Sequence, residues 1–276
     1  MAGGCAEPLP FGTVPVLVGT SGWQYRDWRG AFYPAGLPQR DWLSHYASRF
    51  RTVEVNNTFY RLPSAEIFAG WRDRTPDDFV VGAKLSRYLS HIRRLREPAE
   101  PVARFLERVE ALGPKLGPVL LQLPPNLRRD TGLLAEVLAV WPRALRLAFE
   151  PRHTTWFTDD VAALLADHDV ALCLADRLGR PLGPLWRTAS WGYVRLHEGR
   201  ATPRPCYGRQ ALARWAERVA ERWDRSADVF VYFNNDPRCC AVNDARRFTL
   251  AAARVGLEPT RVPAAEEVEV MSAPQS

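Results

Sequence analysis

Short apolar runs bounded by turn residues recur along the chain at 16–21, 52–56, 80–84, 119–123, 145–150, 171–176, 191–197 and 229–234. Their lengths suit strands, and between most of them apolar positions recur at helical spacing. Val102, Phe105, Leu106, Val109 and Leu112 form the clearest stripe, with Gly113 placed to end the helix. Leu212, Trp215, Ala216, Val219 and Trp223 form another, while Leu133, Leu134, Val137 and Leu138 follow Asp130, a good N-cap residue. Strands alternating with helices about every 30 residues predict parallel βα units. The eight runs predict a single α/β domain, a (β/α)8 TIM-like barrel. One connection is irregular: 177–190, between the sixth and seventh runs, has two prolines, two glycines and no helical stripe. An open doubly wound sheet is the alternative fold, but its early G-x-G-x-x-G phosphate loop is absent. The barrel is expected over 16–256, with a flexible N-terminal segment at 1–15 and a frayed polar tail at 257–276.

Side chains alternate across a strand, so each run divides into two faces. Val53 and Val55 oppose Glu54 and Asn56. Leu147 and Phe149 oppose Glu150 and Arg152, and Val194 and Leu196 oppose Tyr193, Arg195 and His197. The same division selects Lys84 with Ser86, Gln122, Tyr232 with Asn234, and Leu172 and Leu174 with Asp176. One face meets outer helices, while the other turns polar toward its C-terminal end, where barrel proteins place their ligand sites. A network of structural ion pairs explains one such residue well. Six or more converging on one mouth point to a ligand site instead, because charges avoid burial without partners or solvent.

Composition narrows the setting. The chain has 276 residues, 46% of them hydrophobic and 25% charged, enough for a sizeable core. Its net charge of +6 is almost wholly arginine, since Lys84 and Lys115 are the only lysines. Such a balance permits anionic partners without demanding them. Five cysteines without C-x-x-C spacing favour reduced thiols, and no apolar run reaches membrane-span length, so a cytoplasmic protein without membrane partners is expected.

Several segments are similar in sequence and order to the YecE-like family, domain of unknown function family 72. They are Gly19-Thr-Ser-Gly-Trp-Gln-Tyr25, Val53-Glu-Val-Asn-Asn-Thr-Phe-Tyr60, Ser90-His91, Leu121-Gln-Leu-Pro-Pro125, Glu150-Pro-Arg-His153 with Trp156, Tyr193-Val-Arg-Leu-His197 and Tyr232-Phe-Asn-Asn-Asp236. The resemblance implies a TIM-like barrel inside a prokaryotic cell and assigns no reaction. It carries motif positions onto Glu54, Asn56, Thr58, Tyr60, Lys84, His91, Gln122, Glu150, Arg152, Trp156, Arg195, His197, Asn234 and Asn235, without roles. Glu198 departs from the glycine expected there, which would alter access or charge near His197.

Glu54, Lys84, Glu150 and His197 are thus the candidate catalytic residues, and the remaining motif positions, with Trp23, Tyr25 and Asp176, the candidate ligand contacts. Histidines and carboxylates offer a pool of metal ligands, but Lys84, Arg152 and Arg195 among them oppose a divalent ion, so no cofactor is expected. The same cations suit a phosphate-bearing partner, with nucleic acid or a nucleotide ahead of a sugar phosphate because aromatic rings flank them. Metal-independent acid–base hydrolysis fits that reading. A Schiff base at Lys84 is opposed by the two carboxylates, which would keep the amine protonated. The alternatives are a neutral-carbohydrate hydrolase or isomerase using Glu54 and Glu150, and a non-catalytic binding module.

Overall fold

A computed structural model describes residues 16–223 and 227–271. The expected flexible segment 1–15 lies outside them. Among the described residues there are ten strands: β1 (Val16–Thr20), β2 (Thr52–Val55), β3 (Val80–Lys84), β4 (Leu116–Gln122), β5 (Leu147–Glu150), β6 (Ala171–Leu172), β7 (Leu174–Arg177), β8 (Arg180–Pro181), β9 (Gly192–Leu196) and β10 (Val229–Phe233). The helices are α1 (Trp42–Arg49), α2 (Asn57–Tyr60), α3 (Ala65–Asp73), α4 (Ala99–Val109), α5 (Thr131–Val140), α6 (Asp159–Asp167), α7 (Arg209–Arg222) and α8 (Cys240–Arg254), accompanied by 3-10 turns and a π-helical turn at Tyr88–Ile92. Asp130 caps α5 as its residue type predicts, its carboxylate accepting from Leu133 N at 3.0 Å.

The strands form two five-stranded sheets, in the orders β2-β3-β4-β5-β6 and β1-β10-β9-β7-β8. All pairings are parallel except the short β7–β8 ribbon. Only Cys173 separates β6 from β7, and its N–H donates to Phe149 O at 2.8 Å, so the two sheets follow one another as an arc. The 177–190 connection has no helix, and β8 occupies its start.

The eight-stranded closed ring is where expectation and structure part. Among the described residues no ladder joins β1 to β2. The Tyr46 hydroxyl stands at that seam: it accepts from Thr20 N at 3.0 Å and donates to Thr52 O at 3.1 Å. A side chain from α1 therefore satisfies backbone groups that a ladder would pair. The strands still crowd together there, since a Cβ on Gly19 would lie 2.3 Å from Thr52 O. Glycine is required at that contact.

Two apolar layers follow from strand parity. The outer layer packs Val53, Val55, Phe149, Leu172, Leu174, Val194 and Leu196 against the helices. The inner layer contains Leu17, Val80, Leu120, Ala148, Cys173, Ala175, Tyr193, Phe230 and Tyr232. Asp176 shares the outer face with Leu172 and Leu174 and meets Tyr207 and Trp215 there, opposite to the inward face expected for the sixth run. Two further expectations are corrected. Residues 257–271 are anchored rather than frayed: Val16 N donates to Glu258 O (2.9 Å), Thr260 N to Val16 O (3.0 Å) and Val18 N to Thr260 Oγ1 (3.1 Å), because the open side of β1 needs partners. Cys206 and Cys240 form a disulfide, while Cys173 and Cys239 are free and buried. Among the described residues no helix is long and apolar enough to cross a membrane.

Candidate functional site

The inner faces of β2, β3, β4, β5 and β9 end in a connected polar network. Arg195 is its centre, 1% exposed, with Nη2 donating to Glu54 Oε1 at 2.8 Å and Nη1 to Glu150 Oε2 at 2.7 Å. Tyr193, one inward position earlier, donates its hydroxyl to Glu54 Oε2 at 2.5 Å. Arg152 pairs with the other oxygen of Glu150 at 2.5 Å. Each buried carboxylate thus has charge-assisted partners on both oxygens, the condition under which such charges survive burial.

Gln122 extends the network to Lys84. Its Nε2 donates to Glu150 Oε1 at 3.1 Å, and its Oε1 accepts from Lys84 Nζ at 2.5 Å. The Lys84 ammonium also lies 3.9 Å from the centre of the Phe59 ring. Among the described residues no carboxylate lies within ion-pair distance of it. At the rim, Asn234 Nδ2 stands 2.9 Å from His197 Nδ1. With that amide donating, the ring proton sits on Nε2, which faces Glu150 Oε1 at 3.4 Å and Arg152 Nη2 at 3.3 Å.

Burial and charge divide these groups. Burial pushes the Glu150 carboxyl up, but Arg195, His197 and Arg152 outweigh it and hold the group well below its usual range. Burial also lowers the His197 pKa, with Arg195 acting the same way against Glu150, leaving a neutral imidazole at pH 7. Lys84 is brought down to about 8 by burial and then by Arg195, with Glu54 and Glu150 opposing. Near the end of β10, burial raises Asp236 to about 7.

Eight predicted residues meet here: Glu54, Lys84, Gln122, Glu150, Arg152, Arg195, His197 and Asn234. Asn56 and Tyr25 join its β1 side, both donating to Ser21 O, at 3.1 and 2.5 Å. His91 lies beyond Phe59, its ring edge-on at 4.9 Å, with Nδ1 2.9 Å from Ser90 Oγ. Its pKa is lowered by burial and then by Lys84, Arg87 and Arg94.

Five predicted contacts are structural instead. Trp23 is buried edge-on against Trp71 at 5.4 Å, and Trp156 is buried with Nε1 donating to Leu127 O at 2.8 Å. Thr58 Oγ1 bonds Val55 O and Lys84 O, holding the backbone beneath the ammonium. Asp176 accepts from Tyr207 Oη at 2.6 Å and Trp215 Nε1 at 2.9 Å behind the sheet. Asn235 donates to Asp244 Oδ2 at 2.8 Å. Glu198 leaves the mouth to meet Arg177 at 3.2 Å.

A groove of about 870 Å³ opens beside the β3 end, lined by Asn57, Tyr60, Arg61, Leu62, Pro63, Ser64, Ile67, Ser86, Arg104 and Arg108. Tyr60 is 71% exposed in it. Its arginines are not among the expected residues, although Arg104 and Arg108 fall one helical turn apart on α4, along the border of the stripe formed by Val102, Phe105 and Val109. Phe59 was also missed, despite standing inside the 53–60 motif. Among the described residues no group of three or more His, Cys, Asp or Glu is arranged to hold a metal.

Parallel strands in this order, with polar groups gathered at their C-terminal ends, define a TIM-barrel-like α/β protein whose candidate site is the mouth. The chain belongs to the family described as "Protein of unknown function DUF72", which matches residues 17–267. It is 36% identical over 116 residues to the UPF0759 protein YecE of Escherichia coli K12, a stretch that is 42% of this chain and 43% of that protein. That match therefore spans less than half the length of the curated relative. The UPF0759 protein YunF of Bacillus subtilis is 23% identical over 253 residues, 80% of this chain and 89% of that one. The crystal structure of a DUF72 family protein from Thermotoga maritima superposes with a TM-score of 0.75 at 27% identity, covering 86% of this chain and 98% of that chain.

Proposed function

We propose that the mouth and its adjoining groove bind a phosphate-bearing small ligand, a nucleotide in preference to a sugar phosphate. The observation carrying this reading is the groove lining, which combines Arg61, Arg104 and Arg108 with the exposed Tyr60 ring and includes no acidic residue. Within the mouth, three cations (Lys84, Arg152, Arg195) face two carboxylates (Glu54, Glu150), which adds to the attraction for an anion. Arginine grips phosphate oxygens, and an exposed tyrosine offers a face on which a base stacks. Acid–base chemistry on the ligand falls to Lys84 and to neutral His197.

The carbohydrate-hydrolase reading loses support because Glu54 and Glu150 share one guanidinium, so neither is a free carboxyl able to deliver a proton. The test is calorimetric titration of adenosine monophosphate, ribose 5-phosphate and inorganic phosphate into the wild type and the Arg61→Ala/Arg104→Ala/Arg108→Ala variant. Binding that favours the nucleotide, weakens with salt and falls in the variant is expected. Equal affinity in both proteins, or no binding of any phosphorylated ligand, overturns the reading.

A further inference from the structure

We infer that Lys84 is a carbonyl-reactive lysine, whose amine adds to an aldehyde or ketone on the ligand and forms an imine at the barrel mouth. The flanking carboxylates were expected to keep this amine protonated. The geometry weakens that objection, because Glu54 is held by Arg195 and Tyr193 and Glu150 by Arg195, Arg152 and Gln122, and burial with Arg195 outweighs both carboxylates at the amine. Among the described residues Lys84 Nζ is left with one neutral hydrogen-bond partner, Gln122 Oε1, and the Phe59 ring. Its backbone is fixed by Thr58 Oγ1, which donates to Lys84 O at 2.7 Å.

Lys115, the other lysine, makes the contrast inside the same molecule. Its Nζ donates to Arg72 O (2.6 Å), Thr75 O (2.7 Å) and Thr75 Oγ1 (3.3 Å), three acceptors that use all its protons. Lys84 faces Arg195, Arg152, Glu54, Glu150 and, across Phe59, His91, and its lowered pKa leaves a useful neutral fraction near neutrality. Asn57, Tyr60 and Ser86, which flank Phe59 and Lys84 along the chain, line the open groove and offer an approach.

The chemistry balances without an oxidant or reductant. The neutral amine's lone pair attacks the carbonyl carbon, the carbonyl oxygen takes a proton and the nitrogen loses one, giving a carbinolamine. The nitrogen lone pair then expels the hydroxyl, which leaves as water after taking a proton, and loss of the last N–H proton leaves a C=N bond. Aromatic cover suits the protonated imine as it suits the ammonium.

The inference rests on the proposed function for the ligand's charge alone, and the test separates the two. Wild-type protein is treated between pH 6 and 10 with propanal, pyridoxal or pyridoxal 5′-phosphate, each with sodium cyanoborohydride, and the lysine adducts are mapped by peptide mass spectrometry. Lys84 is expected to be alkylated by propanal about tenfold faster than Lys115 or more, with a rate that rises through pH 8. Lys84→Arg keeps the charge and is expected to abolish that adduct while leaving Lys115 unchanged. Pyridoxal 5′-phosphate outpacing pyridoxal at Lys84 supports both readings. Propanal labelling without a preference for the phosphate keeps the reactive lysine and counts against the anion site. Propanal labelling of Lys84 no faster than Lys115, or rising only with an ordinary lysine pKa, overturns the inference whatever phosphate does.

Discussion

The Lys84 ammonium lies 3.9 Å from the centre of the Phe59 ring and donates a hydrogen bond to Gln122 Oε1 at 2.5 Å. A cation–π contact of this kind contributes about 0.5–2 kcal/mol, less than a buried ammonium loses in hydration. The amine therefore titrates near 8 in the folded protein, below the roughly 10.4 of an unfolded chain. Between these values the unfolded chain holds more protons, so this group's contribution to stability rises as pH increases from 8 to about 10.4 and is constant below 8. The rise should amount to a few kcal/mol. Urea denaturation of wild type and Lys84→Met across that range checks it, since the difference between the two curves isolates Lys84. A difference that stays flat from pH 8 to 10.5 contradicts the assignment.

Arg195 is expected to be the least replaceable residue of the mouth. Arg195→Met strands two buried carboxylates and should cost roughly 3–5 kcal/mol, whereas Arg152→Ala at the more exposed rim should cost about 1 kcal/mol. Chemical denaturation of both variants reads the contrast. Glu150 adds a signature at low pH. Its folded pKa lies below the unfolded value of about 4.3, so its contribution is complete above that value and disappears as pH falls through the folded one.

Tyr46→Phe should loosen the seam between β1 and β2. Removing the hydroxyl leaves Thr20 N and Thr52 O without their bonds, at a cost of about 1–3 kcal/mol. Hydrogen exchange at the Thr20 amide should accelerate more than at Val18, which keeps its bond to Thr260 Oγ1. Equal acceleration at both amides would show that the hydroxyl does not hold the seam.

Asp176→Asn offers a way to separate fold from site. The carboxylate serves Tyr207, Trp215 and the Gly179 amide behind the sheet, so the substitution should lower stability by about 1–3 kcal/mol and leave ligand affinity unchanged. A loss of affinity in protein that is still folded would return Asp176 to the mouth.

Most of the mouth was legible because its strands carry a clear two-residue alternation. In 52–56, 145–152 and 193–197 a polar face opposes an apolar one, and the structure turns every such polar residue inward. The run 171–176 lacks that contrast: Ala171, Leu172, Cys173, Leu174 and Ala175 are apolar on both faces, so Asp176 alone set the assignment and set it wrongly. Trp23 and Trp156 were misplaced for a related reason. Position beside a motif does not say whether a large ring fills the core or faces solvent, and both rings pack inside.

The order of parallel βα units, the polar ends of the strands and family membership are readable from the amino-acid sequence, because periodicity and motif order are local properties of the chain. Which partners those polar groups take was decided only by the tertiary structure. Glu54, Glu150 and Arg195 come from three separated strands, and only the curvature of the sheets brings both carboxylates to one guanidinium. That pairing, made through space, leaves Lys84 without a counterion among the described residues, which its place along the chain does not reveal.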